Sequence, residues 1–225
     1  MNNIEYADSL LLLSIIAMPT VHADAGDQTL SFGYASVNGG FAHDAYSKNK
    51  ADYDSHINGV SNLLTHNADS EKDPQGVFVR YRYEFDDTWG VMGAVSYASS
   101  SMSNYFEAGK AAEKKKPKEI EKSFSNDIKS RYVSLFIGPT IRANDWVSAF
   151  GLVGVAHQKF DNYMHDYATT PAKEISHSSS SNQTSFAYAL GLQFNAYKNF
   201  VIDAAWTGTE RGNANGFNLG IGYKF

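Results

Sequence analysis

The 225-residue sequence has no cysteine, so no disulfide framework holds it together. It also lacks any run approaching the roughly 20 apolar residues that a membrane-spanning helix needs. Positive charge is scarce: 19 Lys and Arg stand against 24 Asp and Glu, a formal net charge of −5. A mildly acidic chain is a poor general binder of nucleic acid, and none is expected as a partner. No His-Glu-x-x-His or EF-hand spacing occurs, and no metal or cofactor is expected. What the chain has instead is aromatics and glycine, with 14 Tyr, 14 Phe and 18 Gly. The length suits a single domain.

The continuous apolar stretch Leu10 to Met18 is too short to span a bilayer. Pro19 and then Val21-His22-Ala23 follow it, a small-x-small pattern suited to cleavage before Asp24. The expected division is a signal peptide over residues 1–23 and a single domain over 24–225. The segment Met1 to Ser9 departs from the usual leader, with Glu5 and Asp8 but no Lys or Arg. Losing those two acids with the leader changes the net charge from −5 to −3.

The ending Phe217-Asn218-Leu219-Gly220-Ile221-Gly222-Tyr223-Lys224-Phe225 alternates without a break. Successive side chains of a strand point to opposite faces, so one face here is wholly apolar and the other small or polar. The same pattern recurs upstream. Gln183 to Asn195 sets Phe186, Tyr188, Leu190, Leu192 and Phe194 on one face. Gly76 to Phe85 sets Val77, Val79, Tyr81, Tyr83 and Phe85 against Arg80, Arg82 and Glu84. Tyr132 to Arg142, Phe200 to Thr207 and Thr29 to Ser36 follow suit. Val91 to Ser99 and Val147 to Gln158 also read as strands, with less distinct faces. The total is about eight, the smallest number usual for an outer-membrane barrel.

The connections are of two kinds. Asp86-Asp87-Thr88, Asn144-Asp145 and Tyr197-Lys198-Asn199 are tight turns flanked by Phe85, Trp89, Trp146 and Phe200. Asn38 to Pro74, Ser101 to Ile128 and Asp161 to Asn182 are long and polar, and Glu210 to Ala214 is brief. A soluble lipocalin-like barrel would bury the apolar face inside, yet here the other face carries Arg80, Arg82, Glu84 and Asp203. The pattern therefore predicts an all-β, eight-stranded antiparallel up-and-down transmembrane β-barrel. Long extracellular loops and short periplasmic turns would join its strands, in the bacterial outer membrane with lipid and lipopolysaccharide around it. Its four interior charges are expected to join in one salt-bridge network filling the lumen.

Thr29-Leu-Ser-Phe-Gly-Tyr34, Tyr81-Arg-Tyr-Glu-Phe-Asp-Asp-Thr-Trp-Gly90, Ile137-Gly-Pro-Thr140, Gly151-Leu-Val-Gly-Val-Ala-His157 and Gly222-Tyr-Lys-Phe225 cover nearly every strand and short turn. In these segments the chain resembles the Ail/OmpX/Lom family of small enterobacterial outer-membrane proteins. The resemblance implies adhesion to or invasion of host cells, or serum (complement) resistance, carried by the extracellular loops. Implied partners are a host matrix protein, a complement regulator or a sulfated glycan. The alternative is a structural or envelope-stress barrel with no dedicated ligand. The terminal Phe225 also resembles the signal recognised by the outer-membrane assembly machinery.

Within the loops, Lys110, Lys114, Lys115, Lys116 and Lys118, with Lys122 beyond, form the one cluster of like charge. It could hold sulfated glycans, acidic host proteins or lipopolysaccharide phosphates. Interleaved Glu107, Glu113, Glu119 and Glu121 equally allow a solvated face, and Ala108 to Lys122 also reads as a short helix interrupted by Pro117. Phe41, Tyr46, Tyr53, Tyr105, Phe106, Tyr163 and Tyr167 are candidate contact anchors at the tips. The first loop's His43, His56 and His66 read as scattered polar residues, and Ser178 to Ser181 beside His177 as a flexible tip. His157, His165, Asp161 and Asp166 lie near one strand end without a definable base–nucleophile pair, so the chain is not expected to be an enzyme.

Overall fold

The computed structural model describes residues 26–38, 40–58, 60–110, 119–144, 146–169, 172–197, 199–210 and 214–225. The expected leader, residues 1–23, lies outside them. The elements in chain order are β1 (Gln28–Asn38), α1 (Gly40–Ile57), β2 (Leu63–Ala68), β3 (Gln75–Glu84) and β4 (Trp89–Lys110). They continue as β5 (Glu119–Arg142), β6 (Val147–Thr169), β7 (Ala172–Tyr197), β8 (Phe200–Thr209) and β9 (Asn215–Lys224). All strands but β2 form a closed antiparallel ring in the order β4-β3-β1-β9-β8-β7-β6-β5, with β5 returning to β4. This is the expected eight-stranded barrel. The seam between the chain ends is closed by β1 and β9, which pair from Thr29–Lys224 to Asn38–Asn215.

Alternation decides which side chains enter. On β3, Phe78, Arg80, Arg82 and Glu84 are buried in the lumen while Val77 and Val79 stand exposed outside. On β9 the glycines and Asn218 face in, and Phe217, Leu219, Ile221 and Tyr223 face out. The small inner face has a steric reason: a Cβ on Gly220 would lie 2.5 Å from Cζ of Phe78. The two strands with indistinct faces resolve by shape. Met92, Ala94, Ser96 and Ala98 of β4 and Phe150, Leu152 and Ala156 of β6 point inward, where mixed small and large groups fill a narrow barrel.

Outward apolar residues such as Phe32, Leu135, Ile137, Leu190 and Ile221 make a continuous lipid-facing band. Phe85, Trp89, Trp146, Phe200 and Tyr223 ring its short-turn end, as amphipathic rings do at a bilayer boundary. The turns there are tightened by side chains: Asp86 Oδ1 accepts the N–H groups of Thr88 and Trp89, both at 2.8 Å. Asn144 Oδ1 accepts those of Trp146 and Val147, both at 2.9 Å.

The lumen is packed with side chains rather than open. The expected single charge network resolves into two groups. Arg80 pairs with Asp203 across the lumen, its guanidinium lying 4.1 Å from the Phe78 ring centre. Toward the short turns, Glu84 takes Arg82 and Arg142, Arg142 reaches Asp27 at 3.1 Å, and Lys224 reaches Asp27 at 2.8 Å. Arg142, Lys224 and Asp27 share the inward parity of Thr140, Gly222 and Thr29, so alternation carried to the strand ends brings them to the rim of the lumen.

The long connections differ most from expectation. Asn38 to Pro74 contains α1 and β2, and β2 pairs along the edge of β4. Ser101 to Ile128 and Asp161 to Asn182 are largely continued strand, with only 111–118 and 170–171 outside the described residues. The short helix expected over Ala108 to Lys122 is not what its ends form: Ala108 pairs with Lys122 in the β4–β5 ladder. Beyond the bilayer neither face must be greasy, so hydropathy stops alternating although the backbone remains extended.

Candidate functional site

Four strands, β4 to β7, run past the end of the others as an extracellular sheet, with β2 added beside β4. The register shows where the bilayer stops. The outward row Tyr97–Val133–His157–Thr184 still carries large apolar groups, and the next, Ser99–Arg131–Lys159–Asn182, carries none. One row further on, Lys129 stands opposite Asp161. Arg131 donates to Asp161 at 3.0 Å, and Lys159 lies 3.6 Å from the same carboxylate. A hydrogen bond from Ser180, reinforced by Lys159 and Arg131, holds the Asp161 carboxyl below its usual range against the opposing effect of burial. Three cations against one anion leave a basic belt directly above the lipid band.

The inward face of the extension is covered by α1. Tyr53 packs edge-on against Phe106, with ring centres 6.0 Å apart, and Phe106 stacks on Phe124 at 6.0 Å. His56 stacks on Phe124 at 4.3 Å, and its Nε2 lies 3.8 Å from Asp166. Asn49 accepts from Asn104 below, and Lys122 donates to the His56 carbonyl at 2.9 Å. At the other end His43 meets Glu71 at 3.0 Å. Past β2, Asp69 accepts the Ser103 N–H at 3.1 Å, which lowers its carboxyl pKa.

Barrel, apolar band and extracellular sheet together limit what the chain resembles. The description "Enterobacterial Ail/Lom protein" matches it over residues 35–225. The chain belongs to the enterobacterial Ail/Lom family. Among its relatives is the attachment invasion locus protein of Yersinia enterocolitica, 30% identical over 221 residues and covering 97% of each chain. Another is the outer membrane protein Lom of Escherichia phage lambda, 29% identical over 239 residues and covering 100% of each. The crystal structure of Ail, the attachment invasion locus protein of Yersinia pestis, in complex with the heparin analogue sucrose octasulfate, aligns with a TM-score of 0.53. That alignment has 26% identity and covers 89% of this chain and 99% of the other. This Ail/Lom protein is thus a multi-pass outer-membrane barrel, crossing by strands.

The candidate contact residues separate sharply. Tyr53 and Phe106 are not tip anchors: both are buried beneath or along α1, at 4% and 0% exposure. Their apolar rings seal α1 to the sheet, a role that requires the helix unseen in the hydropathy pattern. Tyr46 is half-buried with its hydroxyl 3.4 Å from the Asp69 carbonyl, and Phe41 lies in the first turn of α1. Tyr105, Tyr163 and, less fully, Tyr167 are exposed on the outward wall. Lys110 is exposed and donates to Glu119 and Glu121 at 3.4 and 3.3 Å, which raises its pKa. Lys114, Lys115, Lys116 and Lys118 lie outside the described residues.

The rim groups weighed for catalysis do not converge. His157 and His165 point outward, each to one hydroxyl: Thr184 at 2.8 Å and Ser176 at 3.0 Å. Asp166 sits on the opposite face of β6, held by Lys173 at 2.7 Å. Lys129, Arg131 and Lys159 escaped the sequence reading. Their signal was the change from apolar to cationic residues at constant parity, which becomes a belt only once β5 and β6 are in register.

Proposed function

We propose that this protein is a surface factor whose extracellular sheet mediates adhesion to or invasion of host cells, resistance to complement, or both. The observation that carries this reading is the pair β4 and β5, whose strands of 22 and 24 residues carry Lys110 and Glu119, the described residues on either side of the lysine-rich stretch, far above the lipid band. A rigid ladder presents the residues at its end without the entropic cost of ordering a long loop. Sulfated glycans are one ligand class in this reading, supported by the complex of the related Ail with a heparin analogue. The belt of Lys129, Arg131 and Lys159 lies at the height of lipopolysaccharide phosphates and suits them by charge. Export would use the leader, cut after Ala23, with residues 24–225 remaining as the barrel domain.

A structural barrel with no dedicated ligand is the second reading, favoured by Glu119 and Glu121 already engaging Lys110. Heparin retention and host-cell attachment separate the two. Replacing Lys114, Lys115 and Lys116 with serine should weaken retention on heparin beads, most visibly at low salt, since exposed charges are screened beyond roughly 10 Å at 0.1 M. Unchanged retention removes the glycan ligand. Equal attachment of cells with and without the extracellular tips removes the adhesin.

A further inference from the structure

We propose that the outward wall of β5, β6 and β7 carries a binding groove for an uncharged saccharide unit. Two adjacent rows of the ladder build it. Ser125, His165 and Ser176 stand side by side in one row, and Asp127, Tyr163 and Ser178 in the next. All six line a groove of about 360 Å³. The concavity follows from the residue sizes: Ser125 and Ser176 flank His165, and Asp127 and Ser178 flank Tyr163, so each ring stands above smaller neighbours.

The chemistry matches a sugar ring in three respects. Tyr163, 50% exposed, offers a flat apolar face with a polar tip to the C–H side of a pyranose. The Asp127 carboxylate is an acceptor for sugar hydroxyls, and the serine hydroxyls both donate and accept. His165 is steadied by Ser176 at 3.0 Å, which fixes one ring nitrogen and leaves the other for ligand. Among the described residues no lysine or arginine lines the groove. The Asp127 carboxylate disfavours sulfated or phosphorylated sugars there, in contrast to the lysine-rich stretch of the sequence. Height agrees as well. Tyr163 lies six residues beyond His157 on β6, roughly 20 Å along the strand. The groove thus opens above the phosphate layer, among saccharides.

The test uses the intact barrel in nanodiscs and an array of unsulfated and sulfated oligosaccharides, read at low and high salt. Retention of an uncharged oligosaccharide that does not change with salt is expected. It should weaken roughly tenfold or more in Tyr163→Ala and Asp127→Asn, and persist in Tyr163→Phe, as truncating an aromatic anchor does. Thermal melting should be unchanged in all three. Retention confined to sulfated sugars, or uncharged retention indifferent to Tyr163 and Asp127, overturns the proposal. The serine variant of Lys114, Lys115 and Lys116 keeps the groove's binding in either case, so this result and that for the lysine tip are independent. Nanodiscs bearing complete-core or core-truncated lipopolysaccharide identify the source. Competition by the complete core alone assigns the groove to the membrane's own glycolipid, and competition by neither assigns it to a glycan from outside. Both outcomes uphold the groove.

Discussion

At the residue scale, position on the inner or outer face outweighs side-chain chemistry. Leu219 is 49% exposed on the lipid face, whereas its neighbour Asn218 is 4% exposed in the lumen. Hydrogen bonding sets the Asn218 amide with its oxygen toward Arg80 at 3.0 Å and its nitrogen toward the Phe217 carbonyl. Leu219→Arg should cost about 2–4 kcal/mol near mid-bilayer. Alternation alone makes Asn218→Arg the milder change, but the packed lumen reverses that. A second cation beside Arg80, sharing the Asp203 carboxylate in a filled lumen, should destabilise at least as much as a lipid-facing arginine. Urea titrations of both variants in one lipid measure the order. A nearly silent Asn218→Arg would mean the lumen has room that the packing denies.

At the scale of elements, α1 is held by an aromatic contact rather than by its own amphipathicity. Tyr53→Ala should loosen α1 by about 3 kcal/mol, the usual cost of emptying a buried aromatic site. Hydrogen exchange should then rise across residues 43–57 while the barrel amides stay protected. Tyr53→Phe should be neutral or better, because the buried Tyr53 hydroxyl has no hydrogen-bond partner among the described residues.

The link between Asp69 and Ser103 has a pH dependence of definite sign. Its carboxyl is shifted down from 3.8 by the Ser103 N–H, so the folded form binds its proton more weakly than the unfolded one. The contact is complete above the unfolded value and lost as pH falls through the folded one. The protection factor of the Ser103 amide should therefore fall on acidification below about pH 4. Asp69→Ala should show the low protection at every pH. An acid-independent protection factor in the unaltered protein would contradict the assignment.

At the scale of the whole molecule, lipid position orders the three tryptophans. Trp89 and Trp146 ring the short-turn boundary, and Trp206 lies on the lipid face within β8. A protein retaining Trp206 alone should emit at shorter wavelength, and be quenched more by lipids brominated deep in the chain, than one retaining Trp146 alone. Identical emission would place both at one depth and refute the register.

Much of this architecture was legible in the residues. Strands within the bilayer were readable because lipid demands an apolar outer face, as from Phe217 to Phe225. The extracellular strands were not, since Ser99 to Lys110 and Ser178 to Asn182 meet water and need no alternation. Tyr53 and Phe106 looked like tip anchors for the same reason: exposure is settled by what packs over a ring. The belt of Lys129, Arg131 and Lys159, and the groove around Tyr163, consist of residues far apart in the chain.

Alternating hydropathy, turn residues and local motifs by themselves determined a closed barrel, its membrane and its family, because each is written within one strand or turn. Only the tertiary structure decided which loop residues are core and which are surface. That depends on register between strands and on the docking of α1, contacts whose partners are separated by long stretches of chain.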